Sequence, residues 1–272
     1  MTDERVLPDA YIRGAYRVVT GVTSQSWVDP ADPLRLDFEY VQRIADLLRL
    51  TVLSRPAEER VRIVHLGGGG LTLPRFIAAV RPHTAQIVCE PDADLIAEVR
   101  RKLPLPRQSG IKIRDVDGRT GLAAMPEEYA DMVIVDAFAG HSVPGELATR
   151  EFFAEVRRRL RPGGVLVMNL ADQAPFAWGR RCVAGIAASF RHQVVSAEPS
   201  IFKGRRYGNL VAAASAVPLP LEELQRLQAG APFPFRSLTG RELHRWCAGA
   251  EPLEDASRLD SPGPQSGKTW FH

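Results

Sequence analysis

Apolar residues along the chain recur with two distinct periods. Phe38, Val41, Ile44 and Leu48 are spaced by three and four, the signature of a helix with one buried stripe. From residue 61 short, nearly continuous Val/Ile/Leu runs alternate with helical periods. The runs predict strands at Val61–Leu66, Ala85–Cys89, Ile111–Asp115, Met132–Asp136, Val165–Leu170, Gln193–Ala197 and Asn209–Ala214. Helices are predicted between them at Arg75–Val80, Ala93–Leu103, around Phe152, Val156 and Leu160, and around Trp178, Cys182, Ile186 and Phe190. Strands that are apolar on both faces and separated by helices make a mostly parallel sheet covered on both sides. The fold class is therefore α/β: a seven-stranded, Rossmann-like sheet with its last two strands as an antiparallel edge pair.

Upstream, β-prone runs at Tyr16–Val19 and Ser26–Val28, the latter stopped by Asp29-Pro30, predict a short N-terminal β hairpin. The chain thus divides into an N-terminal β arm over 1–33, a Rossmann-like domain over 34–250 and a flexible C-terminal tail over 251–272. Near the tail, Leu221, Leu224 and Leu227 mark a short helix, and Thr239 with Glu242 three residues on reads as a capping box.

Composition narrows the function classes. With 45% hydrophobic and 25% charged residues the chain is an ordinary globular protein. No apolar run reaches the roughly 18 residues of a membrane span, and the N-terminus lacks the apolar core of a secretory signal. Three scattered cysteines, Cys89, Cys182 and Cys247, form neither a disulfide framework nor a zinc motif, which fits a cytoplasmic protein with no metal. The net charge of +3 comes with no basic stripe interleaved with aromatics, and the run Arg157–Arg161 reads as a solvated helix face, so neither nucleic acid nor membrane is an expected partner.

The sharpest local signal is His65-Leu66-Gly67-Gly68-Gly69-Gly70, which closes a strand and opens a helix. Glycines there let a ligand approach the backbone and point amide N–H groups at it. Glu90 ends the second strand, where an acid accepts hydrogen bonds from ribose hydroxyls. Asp117, before Gly118, follows the third strand, and Asp136 ends the fourth; each faces the crevice at the strands' carboxyl ends. In that order the residues form a nucleoside site of the S-adenosylmethionine type. Thr72 in place of the third glycine breaks the dinucleotide pattern. Gly263–Thr269 imitates a phosphate loop but is one residue short and follows no strand.

From Val61 to Ala214 the sequence also resembles the spermidine synthases, or polyamine aminopropyltransferases, which are built on the class I methyltransferase fold. The marks are Gly67–Gly69, Cys89-Glu90-Pro91-Asp92, Val116-Asp117-Gly118, Val133–Phe138 and the stretch Arg150–Asn169; Ser24-Gln25-Ser26 is similar more loosely. The resemblance implies that Gln25, Gly67, Gly68, Gly69, Glu90, Asp117, Gly118 and Asp136 hold an adenosyl ligand, decarboxylated S-adenosylmethionine or S-adenosylmethionine. It implies a small amine, such as a polyamine, as acceptor, and leaves a homodimer open. Gly70 and Ala139 stand where the family has aspartates, and Phe38-Glu39-Tyr40 stands near its tyrosine-histidine-glutamate signature. A base must deprotonate an alkylamine of pKa about 10 before it can attack. Asp136 and His141 are the candidates in the loop after the fourth strand, with Glu146, Asp172 and Glu198 as substitutes from neighbouring loops. Three functions follow: an aminopropyltransferase, a small-molecule methyltransferase using S-adenosylmethionine itself, and a non-catalytic nucleoside-binding protein.

Overall fold

The computed structural model describes residues 4–20, 23–231 and 234–264. An antiparallel sheet comes first, from β1 (Val6–Pro8), β2 (Tyr16–Thr20) and β3 (Thr23–Val28). After α1 (Glu39–Leu50) the chain alternates: β4 (Arg62–Leu66), α2 (Thr72–Val80), β5 (Ala85–Cys89), α3 (Ala93–Lys102), β6 (Ile111–Arg114), α4 (Gly118–Ala123), β7 (Ala130–Val135), α5 (Arg150–Arg159) and β8 (Leu160–Asp172). It ends with α6 (Ala177–Ser189), β9 (His192–Ala197), α7 (Pro199–Phe202), β10 (Gly208–Ser215), α8 (Leu221–Ala229), β11 (Arg236–Thr239) and α9 (Gly240–Cys247).

The main sheet runs β11-β9-β10-β8-β7-β4-β5-β6. Its five strands from β8 to β6 are parallel, and β10 inserts antiparallel between β8 and β9. The eighth strand, β11, adds to the seven predicted: Ser237–Thr239 is too short and polar to announce itself, but it pairs antiparallel with the edge of β9. Likewise the arm has three strands where a hairpin was expected, because Val6 buries itself against Val18 and the α3 residue Val99. Helices α1, α2 and α8 cover one face, and α4, α5, α6 and α9 the other. The chain leaves β4 toward β5 and β6 on one side and returns through β7 and β8 on the other. That reversal opens a crevice beyond Leu66 and Val135, the place where open α/β sheets bind ligands.

Two local expectations give way to tertiary contacts. Thr239 begins α9 without a side-chain capping bond, and Glu242 is ion-paired with Arg236. From residue 251 the segment expected to be a loose tail is docked, over its described part, on the loop after β7. Leu253 is buried, Arg150 N–H donates to its carbonyl (2.8 Å), and Asp255 accepts from Thr149 Oγ1 and Arg119 Nη1, each at 2.7 Å. Ser261 is buried and exchanges hydrogen bonds with the backbone of Val143. Most of the Gly263–Thr269 motif lies outside the described residues. No helix among the described residues is long and apolar enough to cross a membrane.

Candidate active site

A cleft of about 450 Å³ sits at the crevice, within the range of small-molecule sites. Its walls include the turn after β4, the ends of β5 and β7, the start of α4, and the arm strand β3. The turn is built by close backbone approach. Gly67 has φ +94°, and a Cβ on it would stand 2.2 Å from the Asp136 carbonyl oxygen. Gly68 N–H donates to Glu90 Oε2 at 2.8 Å and Gly69 N–H to the same oxygen at 3.4 Å, while Asp92 N–H reaches Oε1 at 3.2 Å. A carboxylate offers about four lone-pair positions, so Glu90 keeps one, on Oε1, for a ligand hydroxyl.

Gly70 is not among the residues that line the cleft. It is buried, and a Cβ there would lie 2.6 Å from Val28 Cγ2, 3.0 Å from Ser26 Oγ and 3.1 Å from Val18 Cγ2. An aspartate there would compete for space with side chains of strands β2 and β3. Thr72 Oγ1 donates to the Trp27 carbonyl (2.8 Å), which leaves Ser26 Oγ to donate to Thr72 Oγ1 at 2.8 Å and locks the arm onto the turn.

At the other side of the crevice Asp136 is held by two donors. Asn169 Nδ2 donates to Oδ1 at 3.0 Å and the Tyr40 hydroxyl points to Oδ2 at 3.4 Å. Desolvation raises the Asp136 carboxyl above the usual carboxylate range, although both hydrogen bonds oppose the shift. Burial and the adjacent Asp136 charge push the Tyr40 phenol well above its ordinary value, so it stays a donor. Asn169 Oδ1 is buried without a hydrogen-bond partner among the described residues.

The other predicted residues separate. Gln25 lines the cleft and spans its mouth, Nε2 donating to the Gly140 carbonyl at 2.9 Å. Asp117 and Gly118 line it too, but Asp117 Oδ1 caps α4 by accepting from Thr120 N–H at 2.8 Å, which holds its carboxyl below the usual range. His141 is exposed and does not line the cleft, because the bridge between Ala139 and Ser142 turns that loop outward. Of the three substitute acids Glu146 lines the cleft. Asp172 instead receives Gly179 N–H and Gln173 N–H, each at 2.7 Å, and Glu198 pairs with Arg206.

Sequence reasoning assigned no role to Tyr40, Asn169 or His65. The signal for the last two was present: each is a polar residue interrupting an apolar strand, in Arg62–Leu66 and Val165–Leu170. His65 is buried, lines the cleft and contacts Gln86 Oε1 through Nε2 at 3.0 Å. Among the described residues no cluster of His, Cys, Asp and Glu is arranged to hold a metal ion.

No family profile matches the chain. The polyamine aminopropyltransferase of Vibrio vulnificus is 29% identical over 150 residues, 54% of this chain and 48% of that protein. The chain thus spans about half the length of that relative. A probable spermidine synthase from Corynebacterium glutamicum superposes with a TM-score of 0.85 at 29% identity, over 97% of this chain and 94% of the other. Human methyltransferase-like protein 13, solved in complex with SAH, shares the fold at 19% identity, with a TM-score of 0.56 over 79% of this chain and 95% of its own. The chain is similar in sequence to polyamine aminopropyltransferases, and its fold is that of a spermidine synthase, with a methyltransferase-like Rossmann sheet.

Proposed function

We propose that the chain is a spermidine synthase-like aminopropyltransferase that moves the aminopropyl group of decarboxylated S-adenosylmethionine to a small amine. The observation that carries this reading is Asp136, partly buried at the switch point and gripped by Tyr40 and Asn169 across from the glycine turn. The charge of the cleft supports it. Asp37, Glu90, Asp92, Asp117, Asp136 and Glu146 line the cleft against Arg5, which is itself paired with Asp92. Such a surface suits a sulfonium and an ammonium, both cations.

The bound nucleoside supplies an activated carbon, whose bond to a sulfonium breaks to leave a neutral thioether. This chain's residues do the rest. The Gly68 and Gly69 backbone and Glu90 give room and acceptors for the ribose, and Asp117 lies on the same rim. Asp136, with its raised proton affinity, takes a proton from the attacking ammonium so that the nitrogen lone pair can form the new C–N bond. Tyr40 and Asn169 fix the carboxylate's orientation without neutralising it.

A methyltransferase reading has one observation in its favour: Ala139 puts no second carboxylate in the loop after β7, where aminopropyl transfer uses one in the family the sequence resembles. Incubation with putrescine and with aminobutanol, each with either form of the cofactor, followed by mass spectrometry, separates the readings. A product heavier by an aminopropyl group supports the first and a methylated product the second. Nucleoside binding with no product from either cofactor would leave the non-catalytic reading.

A further inference from the structure

His65 has a place in the cleft that the reading above does not use. Side chains two apart on a strand share a face, so His65 points with Ile63 toward α1 and α2. There it lines the cleft together with the apolar side chains of Val41, Leu73 and Ile134, which belong to one buried cluster. His65 pairs in register with Ile134, two residues before Asp136. The imidazole thus lies roughly 7 Å deeper along the strand than the Asp136 carboxylate, the reach of a short alkyl chain.

The hydrogen-bond network fixes which ring nitrogen carries the proton. Gln86 Nε2 donates to the Pro74 carbonyl at 3.0 Å, and a carbonyl only accepts, so the amide cannot be reversed. Gln86 Oε1 therefore faces His65 as an acceptor, and His65 Nε2 is the protonated nitrogen. That leaves Nδ1 as a lone-pair acceptor, with no partner among the described residues. Burial pushes the imidazole down to about 4, so it stays neutral at physiological pH. Asp37, the acid next to α1, is at the surface beside Arg17 and supplies no counter-charge inside this part of the cleft.

Building on the aminopropyl-transfer reading, we propose that His65 determines acceptor specificity: its Nδ1 receives a hydrogen bond from an uncharged donor at the far end of a short alkylamine. The acceptor this part of the cleft takes is an amino alcohol rather than a diamine. A hydroxyl satisfies Nδ1 at small desolvation cost, and a second ammonium would be buried against a neutral ring with no carboxylate to balance it. A plain alkylamine would leave the nitrogen without a donor.

Binding distinguishes these without requiring turnover. The full chain, saturated with methylthioadenosine, is titrated with aminobutanol, putrescine and pentylamine, which have similar lengths. We expect aminobutanol to bind at least tenfold tighter than either of the others, and the imidazole 15N spectrum to show His65 Nδ1 unprotonated and shifting on its addition. His65→Leu should bring aminobutanol down to the pentylamine level while leaving pentylamine unchanged. Putrescine binding as tightly as aminobutanol, equal binding of all three, or a His65 resonance that ignores the ligand overturns the assignment; the parent ranking and spectrum decide it even if the variant misfolds. Aminobutanol preference without aminopropyl transfer would refute the proposed reaction and leave the His65 assignment standing. Transfer to putrescine with no preference for aminobutanol would do the reverse.

Discussion

Asn169 Nδ2 lies 3.0 Å from Asp136 Oδ1, and the two residues follow the register pair Val135–Met168 of adjacent parallel strands. The contact is therefore set by the sheet and not by a loop. With Tyr40 at the second oxygen, the carboxylate is oriented before any ligand arrives. Burial of that carboxylate, which both hydrogen bonds only partly offset, has a thermodynamic signature. Asp136 has its folded pKa raised, so it favours the fold fully below its unfolded pKa, and that contribution is lost as pH rises through the folded value.

Asp136→Asn should accordingly stabilise the protein at neutral pH while removing function. The amide is nearly isosteric, accepts from Asn169 and carries no buried charge. A gain of about 1 kcal/mol, or roughly 2 °C in melting temperature, is expected at pH 7. The gain should vanish in acid, where the native carboxyl is protonated. Thermal melts at pH 4 and pH 7, with cofactor titration of both proteins, check it. A variant that melts lower at pH 7 would show that Asp136 is a structural strand-end acid.

Asn169→Leu should move the acid limb of the rate–pH profile to higher pH. The Asn169 bond is the first of two that hold the Asp136 carboxyl down against desolvation, so losing it raises the pH at which Asp136 ionises. Activity at low pH should fall more than at high pH. An unchanged limb in kcat/KM would mean that Asp136 is not the group being titrated.

Glu90→Ala removes the acceptor of Gly68 N–H and, in the proposed function, that of a ribose hydroxyl. Nucleoside affinity should drop by about 1–3 kcal/mol, with a smaller loss of stability from the exposed turn. Calorimetry with methylthioadenosine gives the first quantity and denaturant unfolding the second.

Gly70→Asp is a test of packing rather than of cofactor choice. Family resemblance alone suggests that the aspartate would restore a charge facing the ligand. The 2.6 Å approach to Val28 Cγ2 instead requires Val28 to shift against the turn, which loosens the packing of the arm. Overpacking of this kind costs about 1–3 kcal/mol, and a buried carboxylate adds to it. Limited proteolysis should cut the arm first. An intact arm with a changed cofactor preference would overturn this reading.

These cases show which parts of the site were legible in the sequence. The alternation of strands and helices and the mostly parallel sheet follow from apolar runs and helical periods, and so do the positions of Gly67–Gly69, Glu90, Asp117 and Asp136, because each ends a strand or opens a helix. What Gly70 means was not legible, since it depends on Val18 and Val28 arriving from the arm. Tyr40 reaches Asp136 from a helix 96 residues away, a contact that no local pattern encodes. The docking of Leu253 and Ser261 was hidden by polar, proline-rich composition, because a few buried side chains and backbone bonds suffice to anchor such a segment.

Glu39 and Glu198 give a second pH dependence. Glu39 opens α1 beside Tyr40, and Glu198 precedes α7 and is ion-paired with Arg206. Burial first, then the hydrogen bond and charge of Glu198, push the Glu39 carboxyl up to about 7, while Glu198 is held below its usual range. One proton is thus shared, and it resides on Glu39 because Arg206 already balances Glu198. For a raised carboxyl the contribution to stability is complete below the unfolded value near 4.5 and is lost as pH rises through about 7. The parent's melting temperature should therefore fall between pH 6 and pH 8, as Glu39 ionises beside Glu198. Glu39→Gln keeps a donor toward Glu198 and loses the titration, so its melting temperature should stay level over that interval and exceed the parent's at pH 8. Glu198→Gln should lower the Glu39 pKa and shift the parent's fall to more acid pH. Parallel slopes for the parent and Glu39→Gln would show that the shared proton does not exist.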